Sequence, residues 1–140
     1  MSTRIVVPVV AAWFVGVAAA FGAVAHYRAP RVEGAATWPA DSVMAPAAGV
    51  ANVVLFVATD SAATRAHLRE LAELALARPE VQVHVVIERT DGARTDELIA
   101  RATEIRGAQV FVDDGGDETR RFGAAAGTVL AYGRDGARQR

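Results

Sequence analysis

Ser61 and Thr64 are an alcohol pair, three residues apart, at the point where a strand-like run, Asn52 to Ala58, gives way to a helical pattern. A serine at such a turn can serve hydrolases as nucleophile, but Ser61 lies between Thr59 and Ala63 and lacks the flanking glycines of the G-x-S-x-G elbow. His67, a turn and a half further on, points elsewhere and reads as a solvated helix residue, not a base. His84 alternates with Val83 and Val85 and reads as a hydrogen-bonded sheet histidine. With His26 at the edge of the amino-terminal apolar run, the 3 histidines show no metal-ligand spacing. Asp113, Asp114 and Asp117 have neither the spacing nor the terminal Glu of a calcium loop and read as a solvated turn. Neither Gly115-Gly116 nor Gly133 to Gly136 fits a phosphate loop. The 140 residues include no cysteine, which removes disulfides, thiolate metal sites and thiol nucleophiles together. No cofactor or metal is expected.

The 15 basic residues are all arginine and face 16 acids; without Arg4, Arg28 and Arg31 the balance is 12 to 16, or −4. A mildly acidic chain with no basic stripe argues against nucleic acid as a partner, because such binding rests on phosphate neutralisation.

Three regions must position these residues. From Ile5 to Ala25 there are 21 residues without a charged side chain. As a helix this run would span about 31 Å, enough to cross a bilayer. Residues 1–27 are therefore expected to be a transmembrane anchor. Ala23-Val24-Ala25 also forms an A-x-A site, so the other reading is a signal segment cleaved after Ala25. Either way the remainder is exported. Arg4 and the α-amino group on one side and Arg28 and Arg31 on the other barely choose an orientation; amino terminus inside and domain outside the cytoplasm is the expectation, and it rests more on the resemblance described below than on charge. Residues 28–48 are rich in Ala, Pro and Gly and read as linker, with Trp38 packing on the domain edge.

Residues 49–140 are expected to form the domain. The continuous apolar run Asn52 to Ala58 suits a central parallel strand covered on both faces. Thr59, Asp60 and Ser61 offer caps for a helix whose apolar stripe is Leu68, Leu71, Ala72, Ala75 and Leu76, ended by Arg78-Pro79. Val81 to Ile87 is a second strand, parallel to the first. Thr95 or Asp96 is the expected cap of the next helix, with acids at its start and Leu98, Ile99, Ala102 and Ile105 on one face, closed at Gly107. A short strand 109–112, a brief helix around Glu118 to Phe122 and a last strand 128–132 complete a three-layer α/β sandwich.

This layout resembles the thioredoxin-like superfamily, in particular its membrane-tethered, exported TlpA-like and RedB-like branch. Leu55 to Ser61 with Arg65-Ala66 and Leu68, then Val110 to Asp113, then Arg121-Phe122-Gly123 carry the likeness, and Trp38 to Ser42 is similar to the RedB-like subgroup. The resemblance implies a redox cysteine pair at the start of the first helix. On Phe56 and Arg65-Ala66 that pair falls on Ser61 and Thr64, or on Ser61 and Ala63 in the RedB-like spacing, so these positions are vestigial. It implies a cis-proline before the last core strand, where this chain has Ala124-Ala125-Ala126-Gly127-Thr128. It also implies an edge strand and closing helix beyond Gly136, whereas this chain stops at Arg140 and leaves its last apolar stripe short of a cover.

The expected function is that of a membrane-anchored, exported thioredoxin-fold protein without redox chemistry. It would be a binding or assembly module with a candidate groove at Asp60, Ser61, Ala126 and Gly127 and an exported protein as partner. The alternatives are a thiol-disulfide or cytochrome-maturation factor acting through a partner's cysteines, and a truncated relic.

Overall fold

The computed structural model describes residues 33–90 and 92–140. The expected anchor at 1–27 lies outside the described residues, and among those described no helix is long and apolar enough to cross a membrane. Strands and helices alternate as β1 (Ala51–Val57), α1 (Ala62–Ala77), β2 (Val81–Glu88), α2 (Gly92–Thr103), β3 (Gln109–Asp113), α3 (Asp117–Arg121) and β4 (Val129–Tyr132).

The sheet order is β3-β2-β1-β4. β1, β2 and β3 run parallel, with Val54 beside His84 and Val85 beside Val110, and β4 returns antiparallel along β1. From β1 to β2 to β3 the chain advances in one direction, so two crossovers of the same hand place α1 and α2 on one face. β4 lies beyond β1, so the path reverses and carries α3 across the other face. Period-two alternation then divides the apolar residues into two cores. Leu55, Val57, Val83, Val85 and Ile87 meet Leu68, Leu71 and Ala75 of α1 and Leu98 and Ala102 of α2. On the opposite face Val54, Phe56, Val86, Leu130 and Tyr132 meet Phe122, Met44 and the half-buried Trp38.

Two helices differ from the sequence expectation. α2 begins at Gly92, and Thr95, expected as its cap, is 1% exposed inside it. Thr95, Leu98 and Ala102 share the buried stripe at i, i+3 and i+7, so Thr95 belongs to the core face and Asp96 and Glu97 fall beyond the first turn. In α1 the buried positions are Thr64, Leu68, Leu71 and Ala75, while Leu76 is 67% exposed because it lies off that stripe.

Residues 33–48, read as linker, form no helix or strand beyond a bridge at Thr37, yet they are fastened along the second face. The Trp38 amide donates to Gly136 O (3.0 Å) and the Arg138 amide to Ala36 O (2.8 Å), while the Trp38 indole N–H reaches Met44 O at 2.9 Å. The Trp38 ring lies 5.0 to 5.3 Å from those of His84, Phe122 and Tyr132. Gly34 fits because it has no side chain: a Cβ there would come within 2.5 Å of Leu130. Beyond β4, the Gly133 amide donates to Ala137 O (2.8 Å) and the Gln139 amide to Ala131 O (2.8 Å), so a short return segment pairs with β4 and the strap 33–44 pairs with it in turn.

Candidate functional site

At the carboxyl end of β1 the chain turns through Ala58, Thr59 and Asp60 to Ser61, whose extended backbone (φ −104°, ψ 167°) is that of a helix N-cap. Ser61 Oγ accepts the Thr64 amide hydrogen at 3.1 Å and lies 3.1 Å from Thr64 Oγ1. Thr64 Oγ1 donates to Thr59 O at 2.8 Å, so the Ser61 hydroxyl is the donor of the pair. Both alcohols are thus committed, and among the described residues neither hydrogen-bonds to a base. Asp60 pairs with Arg65 at 3.1 Å. Ala63 is exposed on the first turn.

The stretch 124–128, where the resemblance implies a cis-proline, contains no cis peptide bond and is tied to β1 at Phe56. The Gly127 amide donates to Phe56 O (2.6 Å) and the Phe56 amide to Thr128 O (2.9 Å). Ala126 and Gly127 are exposed. The structure therefore places Asp60 and Ser61 at the end of β1 and Ala126 and Gly127 beside Phe56 on the same strand, and among the described residues no hydrogen bond joins the two loops.

Two polar clusters lie on the second face; sequence reasoning read His84 as a hydrogen-bonded sheet histidine but missed its partner Asn52 and the whole of the cluster at Asp113 and Glu118. Asn52, within the apolar run, is 1% exposed. Its Nδ2 donates to Ala47 O (3.2 Å) and Val50 O (3.1 Å), and its Oδ1 accepts the Ala47 amide (2.8 Å). Oδ1 can therefore only accept from His84 Nε2, 2.9 Å away, which fixes the proton of the neutral ring on Nε2. His84 is fully buried and its Nδ1 has no described partner. Burial pushes its pKa down to about 4, because the charged ring would lie under Trp38 without solvent. Tyr132 closes the same face: its hydroxyl donates to Ala35 O (3.2 Å), and burial pushes its pKa up to about 12.

Asp113, expected in a solvated turn, is 2% exposed. Its carboxylate accepts the Glu118 amide (3.1 Å), the Thr119 amide (2.9 Å) and the Thr119 hydroxyl (2.8 Å), thereby capping α3. Burial raises its pKa, but the bonds from Thr119 and Glu118 outweigh that and hold the carboxyl below its ordinary value. Gly115 and Gly116, both at positive φ (88° and 73°), make the tight turn that folds these amides back onto Asp113. Glu118, 1% exposed, accepts from the Ser42 hydroxyl and, at 2.8 Å, from Arg121. It thus rivets the strap to α3. A shallow concavity of about 300 Å³ opens here, lined by Val43, Phe111, Val112 and the carboxylates around α3. Among the described residues no group of three or more His, Asp or Glu could hold a metal ion.

A scan against protein-family models gives no match, and neither does a search among curated proteins. Solved structures do match. A secreted disulfide oxidoreductase of Mycobacterium tuberculosis, homologous to E. coli DsbE, is similar with a TM-score of 0.53 at 17% identity, over 66% of this chain and 68% of its own. DsbF of the same organism is similar with a TM-score of 0.57 at 16% identity, over 66% of this chain and 69% of its own. A candidate thioredoxin from Neisseria meningitidis gives 0.56 at 14% identity, over 66% and 63%. At such identities the likeness establishes the fold alone, and that fold is thioredoxin-like.

Proposed function

We propose that this chain is a membrane-anchored, exported thioredoxin-fold protein of the TlpA-like and RedB-like kind, whose redox turn has become a helix cap and which serves as a binding or assembly module without redox chemistry of its own. One observation carries the reading: the two hydroxyls at the turn, Ser61 and Thr64, are consumed in capping α1, in a chain with no cysteine. Alcohols neither ionise near neutral pH nor form disulfides, so no thiol exchange can run through this turn. The charge-free run 5–25 supports the anchor, and the exported segment 28–140 would present the loops at Asp60, Ser61, Ala126 and Gly127 to an exported protein partner.

The detergent-solubilised full chain should reduce insulin no faster than background, and turnover by the unmodified chain would overturn the proposal. The double substitution Ser61→Cys, Thr64→Cys should gain measurable thiol exchange, because it puts two thiols at a helix amino terminus where bare amides favour the thiolate. A carboxyl-terminal alkaline phosphatase fusion, active only when exported, tests the orientation.

A further inference from the structure

We infer that β3 is a self-association edge, and that two copies of this chain join β3 to antiparallel β3 about a two-fold axis at Phe111, making one continuous eight-stranded sheet. β3 is terminal in the sheet order, and among the described residues nothing pairs with its outer side. The Asp113 carbonyl accepts the Arg89 amide, so Asp113 points toward β2. Backbone groups alternate sides along a strand, so Gln109 and Phe111 also face β2, and the N–H and C=O of Val110 and Val112 face outward.

Edge strands that stay single are usually guarded by a proline, a bulge or an inward-pointing charge. β3, Gln109-Val110-Phe111-Val112-Asp113, has none of these before Asp113, and its Val, Phe and Val are all only half-buried. A two-fold interface must also be complementary to itself. Val-Phe-Val is palindromic about Phe111. Antiparallel pairing there sets each Val110 opposite the other copy's Val112 as a hydrogen-bonded pair, with Phe111 facing Phe111. The ends of the strand agree as well, since Asp113 faces Gln109. No like charges oppose one another along the strand. That complementarity selects a second copy over an unrelated peptide. The inference stands on the sheet edge and is independent of whether the Ser61 turn is redox-silent.

A chain without cysteine makes the test direct, since a single introduced thiol can form only an intermolecular disulfide. Phe111 residues facing each other as a non-hydrogen-bonded pair would lie about 4.5 Å apart at Cα, within disulfide reach. In the full chain, Phe111→Cys should cross-link roughly tenfold or more faster than Leu76→Cys, an exposed control on α1. Val110→Cys and Val112→Cys should each cross-link poorly alone and well when mixed. Val112→Pro removes only an outward amide, so it should abolish the dimer mass in sedimentation while leaving the circular dichroism unchanged. A monomeric mass of the unmodified chain, a Phe111→Cys rate equal to the control, or a Val112→Pro protein that remains dimeric would each overturn the inference. If Val112→Pro fails to fold, the cross-linking pattern alone decides.

Discussion

Replacing Asp113 by Asn changes a single atom type at a buried carboxylate that accepts three hydrogen bonds. The amide keeps one acceptor oxygen. Its best placement is at the position of Oδ2, where it still serves the Thr119 amide and hydroxyl, leaving an NH2 facing the Glu118 amide. One charge-assisted bond, worth about 1.5 to 3 kcal/mol, is lost and two others fall to neutral strength, so the cost should be about 3 kcal/mol. Asp113→Ala orphans all three donors and should cost more. Set against the 5 to 15 kcal/mol typical of a domain, and about 1 to 3 kcal/mol per molar in urea, Asp113→Asn should lower the urea midpoint by at least about 1 M. The pH dependence carries a sign. The folded carboxyl lies below its ordinary value, so its stabilisation is complete above about pH 4 and is lost as pH falls through the lower folded value. The gap between wild type and Asp113→Asn should therefore close on acidification. Comparing the two proteins at each pH cancels the titration of His84, common to both. A cost below about 0.5 kcal/mol, or a gap that widens toward pH 3, would refute the assignment of Asp113 as the cap of α3.

His84 gives a slope of its own. Between about pH 6.5 and 4 the unfolded ring takes up a proton that the native ring refuses, so stability should fall as pH drops through that window, by about 3 kcal/mol in all. In denaturation series across that range His84→Gln should flatten the slope; an unchanged slope would show that another group causes it. Ser61→Ala should cost about 1 kcal/mol, as loss of an N-cap does, and the wild type should remain unlabelled by a serine-reactive phosphonate. Labelling at Ser61 would make it a nucleophile.

The alternation of strands and helices was legible because each element declares itself locally. The apolar runs at 52–58 and 81–87, the stripe of Leu68, Leu71 and Ala75, and the cap at Ser61 depend on neighbours a few residues away. Asp113 and Glu118 were not legible, because a carboxylate in a glycine-rich turn has the same sequence pattern whether it faces water or a folded-back helix start. Only the paired positive φ values at Gly115 and Gly116 decide between them. The packing of Trp38 on the domain was legible, but the rest of the strap was hidden for a related reason. Trp38, Ser42 and Met44 sit in a proline-punctuated stretch with no periodicity, and their partners Glu118, Phe122 and Tyr132 are far along the chain, 76 residues away in the case of the Ser42 to Glu118 bond. Asn52 was read as part of an apolar run; its pairing with His84 follows from the parallel register of β1 and β2, which composition does not reveal.

The bridge between Thr37 and Ala137 sets an order of assembly. Synthesis proceeds from the amino terminus, so Trp38 is made long before Phe122, Tyr132 and Gly136, the groups that hold it. The helix-covered core needs nothing beyond β3 and can condense first through contacts close in sequence, whereas the strap must await closure of a loop of about a hundred residues. Among the described residues, the segment made first is thus seated last. Until the strap is seated, Val54, Phe56 and Val86 lack the cover that Trp38 and Met44 give them in the finished domain.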